Sequence, residues 1–289
     1  MASQSTILVP NALTDIAAVE TFYVSVQHPP VADQYVLDMS AVEFVKPYGV
    51  IALISTARHL AELSGHPVCV KNLAEDVHAY LDRVDLFKIA RPWLRSCTDI
   101  GEPWSRNPGT TNLLELTPIG CPQDVEAIAS QAHRIFSYWL RSQELNSLLG
   151  ILSEVCANVY QHSGDPHGHA LIQRYEVPLS GQVIVQVAVG DRGYGIRQSL
   201  SGRYPHIGRE PLDYLQAAMQ GLSARSTGRG GLGLRRVEQI VAIHKGYLWL
   251  RSETAAIMTS GPHTGQTHAR LSSVQGTQVV VELRASLYT

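Results

Sequence analysis

The chain has 289 residues, of which 45% are apolar and 17% charged, with a formal net charge of -2. That length suits two domains of roughly 100–150 residues rather than one core, and the balanced charge excludes a strongly basic nucleic-acid binder and an acidic tail. No uninterrupted apolar stretch has the length of a membrane helix, and MASQSTILVPNALTD lacks the basic start and apolar run of a leader, so a soluble cytoplasmic protein is expected.

Residues 35–39 (YVLDM) and 67–71 (PVCVK) are short apolar runs flanking PYGVIALISTARHLAELSG, whose apolar spacing is helical and ends at Gly65. They predict a β-α-β unit. A second helix is expected at about 73–89, which makes the first hundred residues a small α/β layer. Residues 91–112 combine proline, glycine and polar residues without a period, and the domain junction is placed there. Beyond it the pattern predicts a strand at 113–119, helices near 123–143 and 145–162, and strands near 169–176 and 182–190. A long glycine-bearing loop with one helix near 211–221 follows, then a helix at about 232–245 and two last strands, 247–252 and 277–284. Cys69, Cys97, Cys121 and Cys156 lie far apart with no C-x-x-C pair, and read as reduced and mostly buried.

Three stretches carry chemistry. In LLGILSEVCANVYQH, Leu148, Leu152, Val155 and Val159 fall at helical spacing toward a core, while Glu154 and Asn158 are four apart on another face. An amide oxygen suits magnesium, and a carboxylate beside it can take a proton from a hydroxyl or water; the pair also fits an ordinary solvated face. VIVQVAVGDRGYGI runs from a strand into Asp191, Gly193 and Gly195, where a carboxylate can accept from an exocyclic amine and glycines let backbone approach a flat ring. A simple turn reads the same way. In STGRGGLGLRRVEQIVAIHKG, Gly228, Gly230, Gly231 and Gly233 precede a helix, whose free N–H groups and dipole suit phosphates. A flexible hinge is the other reading, and no Walker Gly-Lys-Ser/Thr follows.

With these elements in this order and spacing, residues 111–286 resemble the GHKL ATPases, the superfamily that includes gyrase and the histidine kinases, and most closely its anti-sigma-factor serine kinase branch. The resemblance implies a two-layer α/β sandwich binding ATP and Mg²⁺. It implies Asn158 on the metal, Glu154 as general base, Asp191 on the adenine amine, and Gly193, Gly195 and Thr277 around the adenine. Arg229, Gly230, Gly231, Leu232, Gly233 and Leu234 would surround the phosphates, and about 197–230 would form a lid.

The segment YVLDMSAVEFVKPYGVIALISTARHLAELSGHPVCVKN, within residues 1–105, looks like a STAS domain, the sheet-and-helix fold of anti-anti-sigma factors. Lys46-Pro47-Tyr48 stands where that family carries its acceptor serine, and Ser40 is a poor substitute, so the domain reads as a docking or dimerising module. The implied function is protein-serine kinase or partner-switching regulation toward a sigma-factor-like or STAS-domain partner. An ATP-gated interaction switch with little or no catalysis, and a slow ATPase coupled to dimerisation, stay open. No nucleic acid or membrane partner is implied. His162, Asp165, His167 and His169 crowd one loop and are residue types that bind zinc, although a solvated connector needs no metal. His133 lies on a helix but in no phosphoacceptor pattern.

Overall fold

A computed structural model of the protein describes residues 3–97, 112–178, 180–223, 231–262 and 264–286. The chain is mixed α/β and divides into two compact units, Met1–Gly109 and Thr110–Thr289.

In chain order, the first unit contains β1 (Gln4–Leu8), β2 (Ala12–Leu13), α1 (Ile16–Val26), β3 (Gln34–Asp38), β4 (Phe44–Val45) and α2 (Pro47–Ser64). It continues with β5 (Val68–Lys71), α3 (Glu75–Arg83), α4 (Leu86–Ile89) and β6 (Leu94–Ser96). Among the described residues β1, β3, β5 and β6 form a parallel sheet in that order. Parallel neighbours require crossovers, and the intervening helices supply them. Asp15 starts α1 by accepting the Ala18 N–H at 2.9 Å. Pro47, with its fixed φ and missing N–H, suits the first turn of α2. Because α2 is apolar on almost every face, it is buried along most of its length.

Three expectations for this unit are corrected. The single helix at 73–89 breaks at Asp85, which adopts a left-handed conformation (φ 65°) that aspartate tolerates better than most residues. The supposed connector at 91–112 contains β6, a strand of three residues whose only deeply buried side chain is Leu94, too short to show a period. Cys69 and Cys97 are disulfide-bonded, not reduced. They stand 28 residues apart in sequence, yet the β5–β6 pairing brings their Cα atoms to 5.7 Å. Cys121 and Cys156 are free.

The second unit contains β7 (Leu113–Ile119), α5 (Pro122–Phe136), α6 (Ser142–Asn158), β8 (Gly168–Val177), β9 (Gln182–Gly190) and α7 (Gly195–Ser201). After these come α8 (Pro211–Met219), α9 (Gly233–Ile243), β10 (Tyr247–Glu253), β11 (Ala255–Thr259), β12 (Gln266–His268) and β13 (Val274–Ser286). Among the described residues the strands form one antiparallel sheet in the order β12-β11-β10-β13-β9-β8-β7. In β9, Val183, Val185, Val187 and Val189 alternate into one core, as period-two patterning requires. Helices α5, α6 and α9 meet them with Ile128 and Phe136, Leu148 and Leu152, and Val237 and Val241. Each such fully buried side chain contributes about 1.5–3 kcal/mol. His244 and Ser147 link the end of α9 to α6 at 2.9 Å.

Here too the boundaries shift. Helix α5 ends at Phe136, and the turn after α6, Val159–Ser163, is π-helical rather than a continuation of it. The long loop holds two helices, α7 and α8. The expected two last strands are four, because β11 and β12 are short pieces at the sheet edge. No helix among the described residues is long and apolar enough to cross a membrane.

Candidate functional site

The second unit encloses a cavity of about 390 Å³ between α6, the turn after β9, α7, α8, the start of α9 and the beginning of β13. Pockets of 300–1,000 Å³ commonly hold small molecules. Three widely separated stretches meet here. Glu154 and Asn158 line it from α6, Asp191 from just after β9 and Gly195 from the start of α7, and Gly231, Leu232, Gly233 and Leu234 from the start of α9, with Thr277 alongside. Gly193 does not line it. Arg229 and Gly230, like Gly228 and the rest of 224–230 at the end of the expected lid, lie outside the described residues.

Asp191 is 6% exposed, and burying a carboxylate requires compensating donors. Its Oδ1 accepts the Gly193 N–H at 2.9 Å and the Thr277 N–H at 3.3 Å. The backbone N–H of Asp191 donates in turn to the Thr277 carbonyl at 3.0 Å. Gly276 makes this approach feasible: its φ is +84°, and a Cβ there would overlap the Asp191 carbonyl. Ser252 Oγ adds a brace, accepting the Ile196 N–H at 3.1 Å and donating to the Gly276 carbonyl at 2.9 Å.

The π-helical turn after Asn158 is laced to the same segment. Tyr194 N–H donates to the Ser163 carbonyl at 2.7 Å, and Ser199 Oγ to the His162 carbonyl at 3.1 Å. Gly193 packs against this turn, since a Cβ on it would overlap the Ser163 carbonyl. Its closeness therefore serves loop packing, whereas the sequence suggested approach to a ring. Asp165, 7% exposed, accepts the Arg192 N–H at 2.7 Å and the His167 N–H at 3.0 Å. The solvated connector expected at this loop is corrected, because Asp165, Ser163 and His169 are buried. Among the described residues no group of three His, Cys, Asp or Glu is arranged to hold a metal.

Helix α9 begins at Gly233, and its first intrahelical bond is Arg236 N–H to the Leu232 carbonyl at 2.9 Å. The N–H groups of Gly233 and Leu234 thus precede the helical ladder and have no acceptor within it. Glu154 lies close to the first residue of α9, because a Cβ on Gly233 would stand 2.5 Å from Glu154 Oε2. Glu154 Oε1 also faces Arg236 Nη1 at 3.6 Å, with the carboxylate side chain 34% and the guanidinium side chain 62% exposed.

Sequence reasoning missed Arg236, which lines the cavity, and Ser199 beside it, and it read His162, which also lines the cavity, only as a loop residue of a zinc-binding type. One signal for Arg236 was present: Gly150, a poor helix former inside α6, sits one turn from Glu154. Cys156, on the opposite side of α6, is fully buried, and burial pushes its thiol up to about 12. No protein-family model matches the chain, and comparison with curated proteins finds no match.

Proposed function

We propose that the second unit is an ATP-binding domain of the GHKL type, nearest the anti-sigma-factor serine kinases, following a STAS-like module. The observation that carries this reading is the convergence of Glu154, Asn158, Asp191, Thr277 and the Gly231–Leu234 turn on one cavity. The residues fit the ligand on three counts. Asp191 offers the cavity a carboxylate whose Oδ1 is held by two backbone N–H groups. The start of α9 offers N–H groups and a positive dipole end to phosphates. Asn158 offers a hard amide oxygen one helical turn from Glu154.

In this reading Asp191 orients adenine through its exocyclic amine, and Thr277 flanks the base. Asn158 would hold magnesium, which when bound supplies charge neutralisation at the phosphates. Glu154 accepts the proton of a serine hydroxyl on a partner protein as that oxygen attacks the terminal phosphorus of ATP and the bond from that phosphorus to the bridging oxygen breaks, releasing ADP. The Lys46-Pro47-Tyr48 turn of the first unit offers no serine-type hydroxyl, so in this reading the partner is a separate chain, a sigma-factor-like or STAS-domain regulator. The Arg236–Glu154 pair favours a second reading, an ATP-gated switch with little transfer, because it engages the only carboxylate placed for the base role among the described cavity-lining residues.

Incubation with labelled ATP and magnesium, with candidate partners, separates these. Label on a partner serine that is lost in Glu154→Ala supports the kinase. Tight ATP binding without label supports the switch. Asp191→Asn keeps an acceptor for Gly193 and Thr277 and should weaken ATP binding by about tenfold or more, the worth of a hydrogen bond to a charged group. Absence of ATP binding by the wild type overturns both readings.

A further inference from the structure

Arg236 stands out because three features place it in the cavity. It belongs to the first turns of α9, where the helix opens from the glycine-rich turn. Its guanidinium runs past Gly150 of α6, where a Cβ would lie 3.8 Å from Arg236 Nη2. A larger residue than alanine at 150 would compete for that path. Its tip then reaches Glu154, whose carboxylate already lies close to Gly233, the first residue of α9. Glu154 thus holds the position an incoming anion would take: beside a guanidinium and at the positive end of a helix.

At this exposure an ion pair is weak, since water screens both partners. A phosphate terminus carries more charge and more acceptor oxygens than one carboxylate, and arginine's planar fork matches it. We propose that Arg236 reads the terminal phosphate of a nucleoside triphosphate, exchanging Glu154 for that phosphate. The exchange releases Glu154 to accept a proton only when the triphosphate is present. This rests on the nucleotide reading of the cavity and adds to it a residue that distinguishes triphosphate from diphosphate and couples that distinction to the base. It also reconciles a carboxylate placed for chemistry with its engagement in a salt bridge.

The test is calorimetric binding of ATP and of ADP, each with magnesium, to the full chain and to Arg236→Ala, Arg236→Lys and Arg235→Ala. Arg235 is exposed and does not line the cavity, so its removal controls for net charge. Arg236→Ala should weaken ATP binding by about ten- to a hundredfold, the range for a charge-assisted contact. ADP binding should change less than about twofold on the same scale. Arg236→Lys should recover part of the preference, and Arg235→Ala all of it. If Arg236→Ala, folded by circular dichroism, keeps the wild-type ratio of ATP to ADP affinity, the inference fails while the cavity's assignment stands. If the wild type binds neither nucleotide, the assignment fails and takes the inference with it.

Discussion

Replacing Asp165 by alanine should destabilise the second unit and loosen the turn that carries Asp191. The carboxylate is 7% exposed and accepts two backbone N–H groups, Arg192 at 2.7 Å and His167 at 3.0 Å. Hydrogen bonds to a charged acceptor contribute about 1.5–3 kcal/mol each, and a buried donor left without a partner loses its hydration as well. Together the loss should be about 3–5 kcal/mol. For a unit of this size that corresponds to a fall of about 10 °C in its melting temperature. Asp165→Asn keeps one carbonyl acceptor and should cost about half as much. Urea denaturation measures the loss, and hydrogen exchange across residues 163–194 locates it, with the Arg192 and His167 amides exchanging faster in the alanine variant. A loss under about 1 kcal/mol, or unchanged exchange at these two amides, would refute the structural role assigned to Asp165.

Two further outcomes are expected. Gly150→Ala should stabilise the protein by about 0.5–1 kcal/mol through helix propensity, because a Cβ meets nothing nearer than Ile240 Cδ1 at 3.7 Å; a melting temperature that stays the same or falls would contradict this. Burial raises the Cys156 thiol from 9.0 to about 12, so the folded state resists its ionisation. That contribution is fully present below pH 9.0 and lost as pH rises toward about 12. Between about pH 8 and about pH 10.5 the wild type should lose about 2 kcal/mol more unfolding free energy than Cys156→Ala. Parallel slopes for the two proteins would remove Cys156 as the cause.

How much of this was legible in the chain depended on whether the signal was local. The core face of α6 was, because Leu148, Leu152, Val155 and Val159 repeat at the helical period and are all buried. So was β9, whose valines alternate. The strand β6 was not, since three residues cannot display a period and its neighbours look like a connector. The N-terminal β1 and α1 went unread, although Asp15 is a helix-start residue that caps α1. The π-helical turn after Asn158 gave no local sign, because its geometry answers to distant partners, the Tyr194 N–H and the Ser199 hydroxyl. Asp165 looked like a loop ligand for the same reason: its acceptor role is defined by Arg192, 27 residues away.

Within the candidate site, the residue types were readable and their wiring was not. Glu154 and Asn158 share a helix face by spacing alone, but the placement of Glu154 against Gly233 depends on how α6 crosses α9, which core packing and the Ser147–His244 contact determine. That crossing gives Gly233 a second role. The spacing of glycines suggested a supple turn for phosphates, whereas the 2.5 Å from a Cβ at 233 to Glu154 Oε2 shows that glycine also keeps this spot open for the carboxylate. Any side chain there would push Glu154 away from both Arg236 and the helix start. One position therefore bears on the Glu154 carboxylate, the Arg236 guanidinium beside it and the start of α9 together.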